Sequence, residues 1–105
     1  MAGEVIPIVI RRNRELIVNR LREAGATAPQ RAIALDPDTL DGPGRLLRRR
    51  EWARLRRFGA VREPRLGLFY LDEDRLTAYR ASLRRKVGAL LGAAAMLAGA
   101  AVALS

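Results

Sequence analysis

The chain contains no cysteine and no histidine. Without cysteine there is no disulfide framework, no thiol nucleophile and no thiolate metal site. Without histidine the commonest general base and the commonest metal ligand are both missing. Aromatics are sparse, one Trp, two Tyr and two Phe in 105 residues. Any catalysis would have to rest on carboxylates, tyrosines, arginines and the single Lys86, and no spacing suggests such a site. The reading is therefore of a non-enzyme with no cofactor, no metal and no small-molecule substrate. The acidic triplet Asp72, Glu73 and Asp74 reads as the first turn of a helix rather than a ligand set. A signal peptide is not expected either: the apolar run at residues 5–10 is short, holds Pro7, and is followed rather than preceded by Arg11 and Arg12.

What is abundant is positive charge of one kind. Twenty basic residues face 11 acidic ones for a net charge of +9, and nineteen of the twenty are arginine. This balance favours anionic partners, although codon bias in a high-GC bacterial genome also enriches arginine. All of the charge lies within residues 1–86. Residues 87–104 carry none, and consist of eight Ala, three Gly, four Leu, two Val and one Met. As a helix they would rise about 27 Å, close to the ~30 Å hydrocarbon core of a bilayer. The reading is a C-terminal transmembrane helix whose leucines supply most of the insertion energy. Arg80, Arg84, Arg85 and Lys86 form a basic juxtamembrane flank, which places the N-terminus in the cytoplasm. Gly88 and Gly92, continued by Ala95 and Gly99, form a small-residue stripe suited to a homo-oligomer or a partner membrane helix.

Ahead of this tail, helix signals recur with punctuation between them. A first helix is expected over residues 7–24, with Ile10, Ile17, Leu21 and Ala24 on one face and Gly25 as its terminator. Residues 5–10 fit either its first turns or a short edge strand. Thr27 and Gln30 have capping-box spacing, so a second helix is expected over 28–35. Two turn signals follow, at 36–38 and 41–44. A third helix is expected over 45–58, with Leu47, Leu55 and Phe58 on one face and Trp52 at its border. Arg45, Arg49, Arg50, Arg54, Arg56 and Arg57 occupy the opposite arc. Gly59 ends it. Residues 60–62 and 68–71 read as strands of a hairpin, joined around Glu63–Gly67 by a longer turn that contains Pro64 and Arg65. Asp72 then caps a continuous helix of about 30 residues running to Leu104.

Three helices followed by a two-stranded hairpin is the order of a winged helix. The stretch LRRFGAVREPRLGLFYLD at residues 55–72 resembles the recognition-helix end and wing of small bacterial winged helix-turn-helix regulators, through Phe58, Gly59, Ala60-Val61, the 62–67 turn and Phe69-Tyr70. The resemblance implies that helix 45–58 enters the major groove and that the 62–67 turn meets phosphate or the minor groove. Arg45, Arg48, Arg49 and Arg50 would then be the readers. The uncharged tail makes the whole similar in topology to tail-anchored membrane proteins.

The fold class is thus mainly α: a winged-helix-like head over 1–72, a basic juxtamembrane helix over 73–86 and a transmembrane helix over 87–104. Two functions follow from it. One is a non-catalytic, membrane-tethered interaction or scaffold protein with membrane lipid as a partner. The other is a membrane-anchored DNA-binding regulator, with nucleic acid held by Arg45, Arg48, Arg49, Arg50, Arg54, Arg56, Arg57, Arg62 and Arg65.

Overall fold

The structure is a computed structural model that describes the backbone of residues 2–104 and the side-chain surroundings of residues 5–92. Its elements are α1 (Ala2–Glu23), β1 (Ile33–Ala34), α2 (Arg45–Phe58), β2 (Val61–Arg65), β3 (Leu68–Leu71) and α3 (Glu73–Leu104), with single 3-10 turns at Pro29–Arg31 and Pro37–Thr39. Three helices and a small antiparallel hairpin are therefore present, in a sheet whose strand order is β1-β3-β2.

The two glycine stops work as local chemistry predicts. Gly25 and Gly59 take positive φ angles of 70° and 93°. At the first, the amides of Gly25 and Ala26 reach back to Arg22 and Leu21; at the second, those of Gly59 and Ala60 reach back to Arg56 and Leu55. Both are Schellman closures, in which a left-handed residue turns two orphan amides onto the last carbonyls of the helix. The chain that leaves each closure then meets the end of the hairpin: Leu71 donates to the Ala26 carbonyl and Asp72 to the Ala60 carbonyl, both at 2.8 Å. Both helix ends are in this way tied to one strand.

The region between α1 and α2 departs from expectation. The helix foreseen over 28–35 is a single 3-10 turn followed by β1. Ala28, not Thr27, precedes that turn, in an extended conformation with no side-chain cap. The capping box is absent because Ile33 and Ala34 instead pair antiparallel with Phe69 and Leu68, and a strand register excludes a helix there. The hairpin is also tighter than foreseen. β2 extends through Pro64 to Arg65, across a register irregularity between Arg62 and Arg65, and only Leu66 and Gly67 turn the chain. Proline is tolerated there because β2 is an edge strand and the irregularity spares a ladder bond. Residues 5–10 are helical, within α1.

The core joins Ile17, Val18 and Leu21 of α1, Trp52 and Leu55 of α2, Val61, Phe69 and Leu71 of the sheet, and Leu76 and Tyr79 of α3. Each fully buried leucine or isoleucine contributes about 1.5–3 kcal/mol. Trp52 meets Phe69 edge-on at 4.9 Å, and Phe58 meets Tyr79 at 5.2 Å. Asp72 caps α3 by accepting from the Arg75 amide at 3.1 Å.

Among the described residues no helix is long and apolar enough to cross a membrane. The expected transmembrane helix over 87–104 is corrected accordingly. Of that segment, Val87–Gly92 are the residues whose side chains are described. The rest of that segment, with Ala95 and Gly99, lies outside the residues whose side chains are described. The tail-anchored, single-pass topology with a cytoplasmic N-terminus, the membrane tether, and the lipid or membrane-helix partner all rested on that span and are withdrawn with it. A methyl group built on Gly88 or Gly92 would meet nothing within 4 Å.

Candidate nucleic-acid interface

Six of the arginines foreseen on α2 do form an exposed arc. Arg45, Arg49, Arg50, Arg54, Arg56 and Arg57 are all exposed, around Leu46 and the small Ala53. The physical reason is the helical period: Trp52 and Leu55 are drawn into the core, which turns these positions outward. Arg62 and Arg65 extend the basic surface along β2, and Leu66 stands at the hairpin tip almost fully exposed.

Arg48 does not belong to this surface. It is 3% exposed, and its guanidinium donates to the carbonyls of Pro37 at 2.7 Å and Gly42 at 2.9 Å and to Asn13 Oδ1 at 3.3 Å. Asn13, itself buried, passes the connection on by donating to the Pro43 carbonyl at 2.9 Å. Arg48 is thus the clasp that holds the 37–43 loop onto α1 and α2, and its expected role as a reader is corrected. A buried guanidinium of this kind is tolerated because backbone carbonyls replace the water it loses.

The exposed arginines divide by their partners. Arg45 and Arg49 both engage Asp38, through Arg45 Nη2 at 3.1 Å and Arg49 Nε at 2.8 Å, with Arg49 Nη2 also in contact. These two guanidinium groups, Arg49 first, hold the Asp38 carboxyl well below the usual carboxylate range. Arg56 reaches Glu63 at 2.8 Å and lies over the Phe69 ring, and Arg62 reaches Asp72 at 3.1 Å. Arg54 stands 3.8 Å from Glu51. Arg50, Arg57 and Arg65 make no ion pair or side-chain hydrogen bond among the described residues. On α2 and the hairpin they are the cations with no described ion pair to give up on meeting an anion.

Of the basic residues foreseen before the tail, Arg80 is bound to Glu15 at 2.8 Å, whereas Arg84, Arg85 and Lys86 are exposed. Sequence spacing gave no warning of Arg75, which lies 4.6 Å from the Phe58 ring and donates to the Phe58 carbonyl at 2.6 Å. With Arg56, Arg57 and Arg62 it surrounds an open depression of about 760 Å³ between the end of α2 and the hairpin.

A second polar cluster lies behind the arc. Glu51 is fully buried, and accepts from Arg14 Nε at 2.6 Å and from the Tyr79 hydroxyl at 2.8 Å. Burial, reinforced by this hydrogen bond to a carboxylate, pushes the Tyr79 phenol up to about 12. The cluster is closed on itself: among the described residues no buried side-chain polar atom lacks a partner. It offers no free nucleophile, and no group of three or more potential metal ligands occurs among the described residues.

Searches against family models, curated proteins and solved structures found no match to the chain.

Proposed function

We propose that this chain is a non-catalytic, duplex nucleic-acid-binding module of winged-helix-like build, which grips phosphates with α2 and the β2–β3 tip. The observation that carries the reading is the unpaired trio Arg50, Arg57 and Arg65, set within a larger exposed arginine surface. The helix–strand–helix–hairpin order, with β1 beside β3, supports it by putting an exposed helix and a protruding hairpin in one molecule. The exposed face of α2 holds arginine, Leu46 and Ala53 but no Asn or Gln, so contacts to phosphate dominate and base preference is modest.

The trio sets a magnitude. Three phosphates neutralised give a slope of about −2.7 in log affinity against log salt, or a loss of about 40-fold between 50 and 200 mM. Fluorescence anisotropy of a labelled duplex of about 20 base pairs, titrated with the full chain at several salt concentrations, measures it. Each of Arg50→Ala, Arg57→Ala and Arg65→Ala is expected to flatten the slope by about 0.9. Asp38→Asn is expected to do the reverse, because it releases Arg45 and Arg49: affinity rises and the slope steepens. Absence of binding at low salt, or binding indifferent to salt, would overturn the reading.

A further inference from the structure

On the side of α2 that faces α1 and α3 lies a groove of about 910 Å³. Its floor is apolar, formed by Ile10, Phe58, Leu83, Val87 and Leu90, and its rim carries Arg11, Arg14, Arg54, Arg57, Arg84 and Lys86. Val87 and Leu90 are 57% and 72% exposed. The one acid in the lining, Glu51, is fully buried and already bound by Arg14 at 2.6 Å. The groove therefore presents apolar surface bordered by positive charge with almost no compensating negative charge.

We infer that this groove is a docking site for an acidic amphipathic helix of a partner protein. Apolar surface beside a row of cations is matched by a ligand with an apolar stripe on one face and carboxylates beside it. The size agrees. A helix about 10 Å across occupies roughly 420 Å³ per turn, so the groove holds about two turns outright, or about four turns of a helix lying half-submerged. Two other occupants fit less well. A second copy of this chain would bring its own charge of +9 against the basic rim. A nucleic-acid backbone would leave the exposed Val87 and Leu90 side chains without an apolar partner.

The probe is a labelled, end-capped peptide of about 16 residues with leucines at helical i, i+3, i+4, i+7 spacing and glutamates elsewhere, titrated with the full chain. Saturable micromolar binding is expected, with at least about tenfold weakening as salt rises from about 100 to 500 mM. A scrambled peptide of the same composition, lacking the apolar stripe, is expected to bind at least about tenfold more weakly. Leu90→Asp is expected to weaken peptide binding by a similar factor. Because Leu90 is mostly exposed, that variant retains the fold, as circular dichroism checks. Leu90→Asn, which removes the apolar contact without placing a charge beside Arg57, is expected to weaken peptide binding too and to leave duplex binding unchanged.

Four results would overturn the inference. The peptide fails to saturate; the scrambled peptide binds equally; monomeric oleate binds more tightly than the peptide and displaces it, which assigns the groove to an anionic amphiphile; or sedimentation shows a dimer of the free chain that Leu90→Asp abolishes. Since duplex binding is read on the uncharged Leu90→Asn, failure here is distinct from failure of the nucleic-acid reading.

Discussion

Arg48 and Arg50 stand two positions apart on α2, yet one is a clasp and the other a free cation. Replacing each with methionine separates the roles. Methionine keeps much of the aliphatic stem while removing every donor. Arg48→Met orphans the Pro37 and Gly42 carbonyls and Asn13 Oδ1. Hydrogen bonds from a charged donor contribute about 1.5–3 kcal/mol each, but they are not additive, and part of the sum is offset by no longer burying a charge. A net loss of about 3 kcal/mol is expected. For a domain of this size that is a large share of a total of about 5–15 kcal/mol. Urea unfolding followed by the emission of Trp52, the only tryptophan and a buried one, reports it. With a slope of about 1–1.5 kcal/mol per molar urea, the midpoint falls by about 2–3 M. Arg50→Met, on an exposed site, is expected to change stability by no more than about 0.5 kcal/mol. In duplex binding the order reverses: folded Arg48→Met keeps its affinity and Arg50→Met loses it. A stability loss below about 1 kcal/mol for Arg48→Met, or an affinity loss matching that of Arg50→Met, would refute the assignment.

The Tyr79 phenol, raised to about 12, stabilises the fold fully below its unfolded pKa near 10, and that contribution disappears as pH rises through 12. Alkaline unfolding over this window should therefore remove about 1–2 kcal/mol after allowance for solvent screening. Tyr79→Phe should erase this pH dependence while costing about 1.5–3 kcal/mol at neutral pH, as measured by urea midpoints across pH; an unchanged alkaline profile would disprove the link. Gly25 and Gly44 both have positive φ, 70° and 74°, but a Cβ at Gly25 meets open space whereas one at Gly44 would lie 2.7 Å from Val9 Cγ1. Gly25→Ala should cost about 1 kcal/mol from backbone strain alone and Gly44→Ala about 2–3 kcal/mol. Equal losses in thermal or urea melts would show that Val9 yields without cost.

Much of the scaffold was legible because its signals are local. Gly25 and Gly59 stop their helices through bonds that span five residues or fewer, and the arginine arc on α2 follows from the period of one helix. The apolar and aromatic run Leu68–Leu71 before Asp72 was readable as a strand for the same reason. The misreadings fall where a local signal competed with a distant partner. Thr27 and Gln30 had the spacing of a cap, but Ile33 and Ala34 bond to Leu68 and Phe69, and that pairing is invisible to a window of four residues. The uncharged composition of residues 87–104 invited a membrane span that no helix of the described residues supports.

By itself, the sequence determined the absence of thiol and imidazole groups, the sign of the charge, the stops of the first two helices and the outward arc of arginines on α2. Tertiary structure alone decided which arginines are available. Arg48 and Asn13 meet across 35 positions, Glu51 and Tyr79 across 28, and Glu15 and Arg80 across 65. Arginine looks the same in every local window, because its long side chain can lie in water or be desolvated against carbonyls and carboxylates. Only the folding of distant segments into one neighbourhood supplies those acceptors, and so separates a structural guanidinium from one free to bind.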